Sequence, residues 1–129
     1  MNAYVDTNVL LRHLVGDAPE QARAATALLA KRGELILTPQ VFTEIAHVLR
    51  SYYGLSRRAV SDQLSSLLEL PAITGDLDLL SAALDVHQRH NVELPDAVLA
   101  AQALHSGITE VVSFDRGFDR IPGVTRITP

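Results

Sequence analysis

The hydrophobic positions alternate along the chain between short continuous runs and longer stretches with helical spacing. The runs are typical of strands buried in a sheet, and spacings of three and four residues are typical of helices with one apolar face. Strands are predicted near Ala3, from Glu34, from Glu110 and at residues 123–127. Residues 70–73 form either a weak strand or an extended link.

Turn and capping residues divide the helical stretches into six segments. Gly marks several of their ends, and Ser, Thr, Asp or Pro marks most of their starts. The predicted helices lie at 7–15, from 17 or 18 to 33, at 38–53, at 57–68, at 76–90 and at 94–107. Strands that alternate with helices predict an α/β three-layer sandwich, with a short, mainly parallel central sheet and helices on both faces. Because helices outnumber strands, helical hairpins must form some of the crossovers.

Length and composition favour one compact domain spanning residues 1–129. The chain is 47% hydrophobic and only 20% charged, which is typical of a globular protein. The mean hydropathy of +0.15 suggests that a partner or a second copy covers some apolar surface. Cysteine is absent, which excludes disulfides and thiolate sites. No apolar run approaches the length of a membrane span, so we expect a cytoplasmic protein without membrane contact.

The net charge of −4 argues at first against a nucleic-acid partner, since such proteins usually carry a basic surface. That argument fails if several carboxylates share one metal site. Four of the fifteen acids placed in such a site would leave eleven, which equals the number of Lys and Arg residues. A bound divalent cation would change the local charge further. Net charge therefore does not decide the function.

Four acidic residues occur at equivalent places in the predicted topology. Asp6 ends the first strand, Glu44 lies in the second turn of the third helix, Asp96 lies in the first turn of the sixth, and Asp115 follows a strand. In a parallel sheet these places lie at one edge, where ligands bind. Alone, each has another interpretation: a helix cap for Asp6, a solvated side chain for Glu44, a helix-dipole contact for Asp96 and an Asx-turn for Asp115.

Convergent carboxylates repel one another and are costly to desolvate unless protons or a cation compensate. Carboxylate oxygens without His or Cys suit hard cations such as Mg²⁺ or Mn²⁺. Such a site is able to hydrolyse phosphodiesters, because one metal activates water and a second stabilises the leaving oxygen. The joint placement of the four acids therefore favours a metal site over four unrelated surface roles.

The order and spacing of these segments resemble a PIN-domain nuclease over nearly the whole chain. The matching residues are Asp6-Thr7-Asn8, Glu44, Asp96-Ala97 before Val98-Leu99-Ala100-Ala101, and Ser113-Phe114-Asp115. The short length and the segment 115–119 are most similar to VapC-type toxins of bacterial toxin–antitoxin pairs.

The resemblance implies a Mg²⁺- or Mn²⁺-dependent endoribonuclease that acts on RNA, is inhibited by a cognate VapB-like antitoxin and is usually a homodimer. It implies catalytic and metal-binding roles for Asp6, Glu44, Asp96 and Asp115. Supporting polar roles are implied for Thr7, Asn8 and Ser113, and a weaker one for Asp119, whose alternative is a surface acid paired with Arg116 or Arg120. Arg12, Arg50 and Arg116 flank the acidic segments. We expect each of them either to contact RNA phosphates or to be an ordinary solvated side chain.

Other functions fit less well. A dehalogenase-type phosphatase needs a second Asp at the position of Asn8, and a receiver domain needs a late lysine, whereas Lys31 is the only lysine. His87 is expected to be a partly buried histidine at the edge of a helix stripe. A non-catalytic PIN-like module that binds RNA or protein stays open as an alternative, although the intact set of acids argues against it.

Overall fold

The computed structural model describes residues 2–31 and 33–129. In these stretches the chain forms β1 (Asn2–Tyr4), α1 (Thr7–Val15), α2 (Pro19–Ala30), β2 (Glu34–Ile36), α3 (Pro39–Ser51), α4 (Arg57–Glu69), β3 (Ile73–Thr74), α5 (Leu77–His90), α6 (Leu94–Ser106), β4 (Glu110–Val112), a 3₁₀ helix (Arg116–Arg120) and β5 (Thr125–Ile127). The chain divides between Leu77 and Asp78 into two compact units, which we call the N-terminal unit and the C-terminal unit.

The N-terminal unit contains a parallel sheet in the order β1-β2-β3. Two helices connect each pair of consecutive strands, α1 with α2 and α3 with α4. The helices of each pair pack on each other, and α1 also packs on α3. The predicted helical hairpins in the crossovers are therefore confirmed.

Local sequence explains where the helices of this unit begin. Thr38 caps α3, because its hydroxyl accepts the Val41 backbone N–H at 3.2 Å. Ser56 caps α4 in the same way through the Ala59 N–H, at 3.1 Å. The Gly16 backbone is left-handed (φ +73°), a conformation that ends α1 as expected. The helices bury a continuous core of large apolar side chains: Leu10, Phe42, Ile45, Leu49 and Leu64.

Two predictions for this unit are wrong in detail. The first strand was expected to be buried, but all three residues of β1 are exposed, and Tyr4 retains 76% of its accessible surface. An apolar run does not guarantee that neighbouring elements cover it, and burial begins at Val5, just after the strand. The second helix ends at Ala30 instead of Gly33, because Lys31 already has extended backbone angles.

The C-terminal unit pairs β4 with β5 in parallel, with Val111 opposite Arg126. The Ser113 backbone N–H extends this pairing by one hydrogen bond to the Ile127 carbonyl, at 3.0 Å. Helix α6 packs against β4 and the 3₁₀ helix, and its alanines allow a close approach. Ala97, Ala100 and Ala101 are almost completely buried.

The structure confirms the α/β class and the parallel pairing of strands. The five strands are distributed between a three-stranded and a two-stranded sheet in the described residues. Over the same residues, no helix is both long and apolar enough to cross a membrane.

Candidate functional site

Asp6 stands where the first strand turns into the first helix of the N-terminal unit. The Val5 N–H binds the Ile36 carbonyl at 3.2 Å, so strand pairing fixes the backbone up to the residue before Asp6. Asp6 occupies the N-cap position of α1, but its side chain makes no capping hydrogen bond and is exposed. Helix capping therefore does not account for this carboxylate, which stays accessible to a ligand.

Glu44 is tied to the start of α1 by a single hydrogen bond. The Thr7 hydroxyl donates to Glu44 Oε2 at 2.9 Å, and Thr7 itself is 4% exposed. Glu44 lies on the exposed side of α3, whereas Phe42 and Ile45 on the same helix are completely buried. The structure thus brings Glu44 next to the residue that follows Asp6, so two of the four predicted acids belong to one region of the N-terminal unit.

The predicted residues Asn8 and Arg12 line a cavity of about 360 Å³ between α1 and α2. Arg12 is held there by two partners, donating from Nε to Gln21 Oε1 at 2.8 Å and from Nη1 to Asp17 Oδ1 at 3.0 Å. Tyr53 completes the group, because its hydroxyl donates to the other oxygen of Asp17 at 2.7 Å. Residue spacing did not indicate this network, which fixes the direction of Arg12.

Asp96 and Asp115 come together in the C-terminal unit, where a hydrogen bond joins their side chains. Burial raises the pKa of Asp96, and a hydrogen bond with Asp115 and the negative charges of Asp115 and Glu93 raise it further. The pKa of Asp115 is lowered, first by the Gly117 N–H and then by the same contact with Asp96. The two acids therefore form a directly hydrogen-bonded pair whose pKa values are shifted in opposite directions.

The loop that carries Asp115 is ordered by its own backbone. Asp115 Oδ1 accepts the Gly117 N–H at 2.8 Å, and the Ser113 hydroxyl accepts the Asp115 N–H at 2.9 Å. The Asx-turn considered for Asp115 is therefore present. It uses one carboxylate oxygen and coexists with the contact to Asp96, so a turn role and a metal role are compatible.

Asp119 has a different partner from either of those expected. Arg126, from β5, contacts both of its carboxylate oxygens, whereas the predicted partners were Arg116 and Arg120. Arg120 instead donates to the Asn91 carbonyl at 2.8 Å. Sequence spacing favours neighbours on the same turn, and the strand pairing that brings Arg126 to the 3₁₀ helix cannot be read from spacing.

The loop before α6, which positions Asp96, is held from two sides. Arg120 binds Asn91, whose backbone is left-handed (φ +54°). One residue further on, the Val92 carbonyl lies 2.5 Å from His87 Nδ1. His87 is 7% exposed, which confirms it as a buried histidine with a backbone partner.

The two other arginines predicted to contact RNA are exposed. Arg50 Nη1 donates to the Leu55 carbonyl at 3.3 Å, in the segment that follows α3. Arg116 lies in the 3₁₀ helix, and its charge contributes to the lowered pKa of Asp119, after the larger effect of Arg126. Both guanidinium groups are accessible to a ligand.

The acids that are present fit a hard divalent cation. No three His, Cys, Asp or Glu side chains form a ready-made metal cage among residues 2–31 and 33–129. The Asp96–Asp115 pair nevertheless supplies two carboxylates in direct contact, which need a proton or a cation between them. Mg²⁺ is usually bound by one or two carboxylates together with water and substrate oxygens.

Comparison with known proteins matches the PIN domain family over residues 3–124. A VapC ribonuclease of Mycobacterium bovis and ribonuclease VapC13 of Mycobacterium tuberculosis are each 32% identical to the chain over 133 residues. Each alignment covers 95% of the chain and 97% of the relative. The matched range contains all four predicted acids, so the resemblance noted from the sequence is confirmed.

Proposed function

The chain belongs to the PIN domain family, and on this basis we propose that it is a metal-dependent endoribonuclease and the toxin of a toxin–antitoxin pair. The observation that carries the proposal is the Asp96–Asp115 pair. A hydrogen bond joins the two side chains, and the pKa of Asp96 is raised while that of Asp115 is lowered. Two carboxyl groups in direct contact repel each other when both are ionised, and a bound cation would compensate that repulsion.

We propose that Asp6, Glu44, Asp96 and Asp115 act as one site in a single PIN-like domain spanning residues 1–129. Asp6 and Glu44 are supplied by the N-terminal unit, and Asp96 and Asp115 by the C-terminal unit. Asp6 and Asp115 follow strands, and Glu44 lies in the second turn of a helix that follows a strand. Asp96 lies in the first turn of α6, next to Pro95. In each unit the ends of the parallel strands lie at an edge of the sheet, where ligands bind, which supports a ligand-binding role for the acids of that unit.

The acids are suited to Mg²⁺ or Mn²⁺. When bound, the metal supplies an activated water and stabilises negative charge on the leaving oxygen of the phosphodiester. The protein residues provide the geometry. Thr7 orients Glu44 through its hydroxyl, Gly117 and Ser113 orient Asp115, and Asp96 would hold the cation together with Asp115. Asn8, exposed beside Asp6, supplies a further polar group, and Asp119 acts indirectly through its contact with Arg126.

RNA is the proposed substrate, because the relatives are named ribonucleases. We propose that Arg12, Arg50 and Arg116 contact its phosphates. Arg12 differs from the other two because Gln21 and Asp17 hold its Nε and Nη1 atoms, and because it lines the same cavity as Asn8. A cognate VapB-like antitoxin, a homodimeric state and a cytoplasmic location complete the proposal, on the strength of the family membership.

The proposal is tested by incubating the purified protein with total cellular RNA and Mg²⁺ or Mn²⁺, with and without EDTA, and mapping new 5′ ends. We expect discrete metal-dependent cleavage that is lost in a folded Asp6→Asn variant. Asp85→Asn is the matched control, because Asp85 is an exposed acid that pairs with Arg89 on α5. Cleavage that persists in EDTA overturns the mechanism. RNA binding without cleavage in every metal identifies a non-catalytic PIN-like module instead.

A further inference from the structure

Arg126 was not singled out from the sequence, yet it makes four hydrogen bonds to the segments on either side of Asp115 and to Thr128. Its Nε and Nη2 atoms donate to the two carboxylate oxygens of Asp119, at 3.0 and 3.2 Å. Its Nη1 atom donates to the Ser113 carbonyl at 3.2 Å and to the Thr128 hydroxyl at 2.9 Å. The side chain is only 15% exposed, whereas that of Asp119 is 53% exposed.

These contacts lie on both sides of Asp115 in the sequence. Ser113 is two residues before it and Asp119 is four residues after it, so one guanidinium ties the two ends of the loop together. The Ser113 residue whose carbonyl binds Arg126 also accepts the Asp115 N–H through its hydroxyl. Any displacement of this arginine therefore moves the segment that places the Asp115 carboxylate against Asp96.

The chemistry of the contact requires arginine. Two parallel N–H groups engage one carboxylate, and the remaining nitrogen reaches a carbonyl in a third direction, which a planar guanidinium does and an ammonium group does not. Exposed ion pairs contribute little to stability in general. A bidentate pair on a mostly buried arginine that also holds a backbone carbonyl is better explained by a need for fixed geometry.

We propose that Arg126 is a positioning residue that holds the Asp115 carboxylate in place for the divalent cation and thereby sets the affinity for that cation. This inference rests on the proposed function. Some groups orient metal ligands without contacting the metal, and their removal typically lowers metal affinity or activity by about 10–100-fold. Arg126 has such an arrangement toward Asp115, acting through the loop and not by contact with the metal.

The test measures Mn²⁺ binding to the protein without RNA, by electron paramagnetic resonance titration, alongside the Mn²⁺ dependence of cleavage. For Arg126→Gln we expect binding weakened by about tenfold and a matching rise in the Mn²⁺ concentration for half-maximal cleavage. Arg126→Lys, which keeps the charge and loses the fork, is expected to lie close to Arg126→Gln. Arg89→Gln is the matched control, because Arg89 is an arginine that donates to an acid, Asp85, at 2.7 Å within α5.

A second variant keeps the test decisive if Arg126→Gln does not fold. Asp119→Asn preserves the size of the side chain and removes its charge, so it should weaken Mn²⁺ binding in the same direction. The double variant should bind no more weakly than the worse single one, because both changes act on one interaction. Folded variants with wild-type Mn²⁺ affinity overturn the positioning role and leave the proposed function intact. A wild-type protein that binds no Mn²⁺ overturns both.

Discussion

Substitution of Thr7 tests whether Glu44 has to be held in one orientation, because it leaves the Glu44 carboxylate in the protein and removes its hydrogen-bond donor. The buried Thr7 hydroxyl donates to Glu44, and valine has the same shape without the donor. We expect Thr7→Val to lower kcat for RNA cleavage by about tenfold, with KM nearly unchanged, because Glu44 remains but is no longer held. Steady-state kinetics on a mapped RNA site measure this. Thr43→Val is the control, since the Thr43 hydroxyl donates to the Gln40 carbonyl of its own helix. Equal kcat values for the two variants would contradict the prediction.

The Asp17–Tyr53 contact predicts a pH dependence of stability. The Tyr53 hydroxyl and, less strongly, the Arg12 charge lower the pKa of Asp17 from its usual 3.8. Its contribution to the free energy of unfolding is therefore complete above pH 3.8 and is lost as the pH falls. The same hydrogen bond raises the pKa of Tyr53 from 10.0, so the hydroxyl's contribution is complete below pH 10.0 and is lost as the pH rises.

Urea unfolding of the wild type and of Asp17→Asn across this pH range measures both effects. The difference in free energy of unfolding between the two proteins should be greatest between the two pKa values and should shrink toward both extremes. Asp62→Asn, which removes an acid paired with Arg58 on α4, is the control for the loss of one surface carboxylate. A difference between wild type and Asp17→Asn that is independent of pH would show that the hydrogen bond does not form in solution.

Residue types and local order were enough to identify most of the proposed site residues. Asp6 and Asp96 were recognised because strand ends and helix starts carry a strong local signal, and Asp115 followed from the strand before it. Arg126 was missed, since an arginine in a short alternating strand is usually solvated. Its role depends on the pairing of β4 with β5, which brings the strand to Ser113 and Asp119. Contacts of this kind depend on register, and spacing in the sequence does not encode them.

At the scale of elements, Gly75 fixes the turn that leads from β3 into α5. Its backbone has φ +127°, and a Cβ at this position would lie 2.7 Å from the Leu37 carbonyl oxygen, just after β2. We expect Gly75→Ala to lower the free energy of unfolding by about 1–3 kcal/mol, because it adds a clash to an unfavourable backbone conformation. Gly33→Ala is the matched control, since a Cβ at that position would meet no atom within 4 Å. Chemical denaturation compares the two, and equal losses would show that the turn relaxes around the added methyl group.

Elements that are defined by local capping were predicted to within a few residues. Helices α1, α3, α4 and α6 begin or end at the Thr, Ser, Pro or Gly residues that marked them. The exposure of β1 was not predicted, because an apolar run does not reveal which neighbouring elements cover its strand. Local chemistry sets where an element starts, and its neighbours set what it buries.

At the scale of the whole molecule, the proposed site requires acids from both compact units to bind the same cation. Asp6→Asn changes the N-terminal unit and Asp96→Asn changes the C-terminal unit, and each replaces a carboxylate by a neutral group of similar shape. We expect each single variant to lower Mn²⁺ affinity by at least about tenfold, since hard cations depend on carboxylate charge. Electron paramagnetic resonance titration measures the affinity, with Asp85→Asn as the control.

The pattern across these variants decides how many sites the chain contains. If the two units share one site, the double variant Asp6→Asn with Asp96→Asn binds Mn²⁺ only slightly more weakly than the worse single variant, because the ligand set is already broken. If each unit binds a cation independently, each single variant removes one binding event and leaves the other at wild-type affinity. That second outcome would contradict a single domain spanning residues 1–129 with one active site. It would limit the catalytic proposal to the Asp96–Asp115 pair, whose contact lies within one unit.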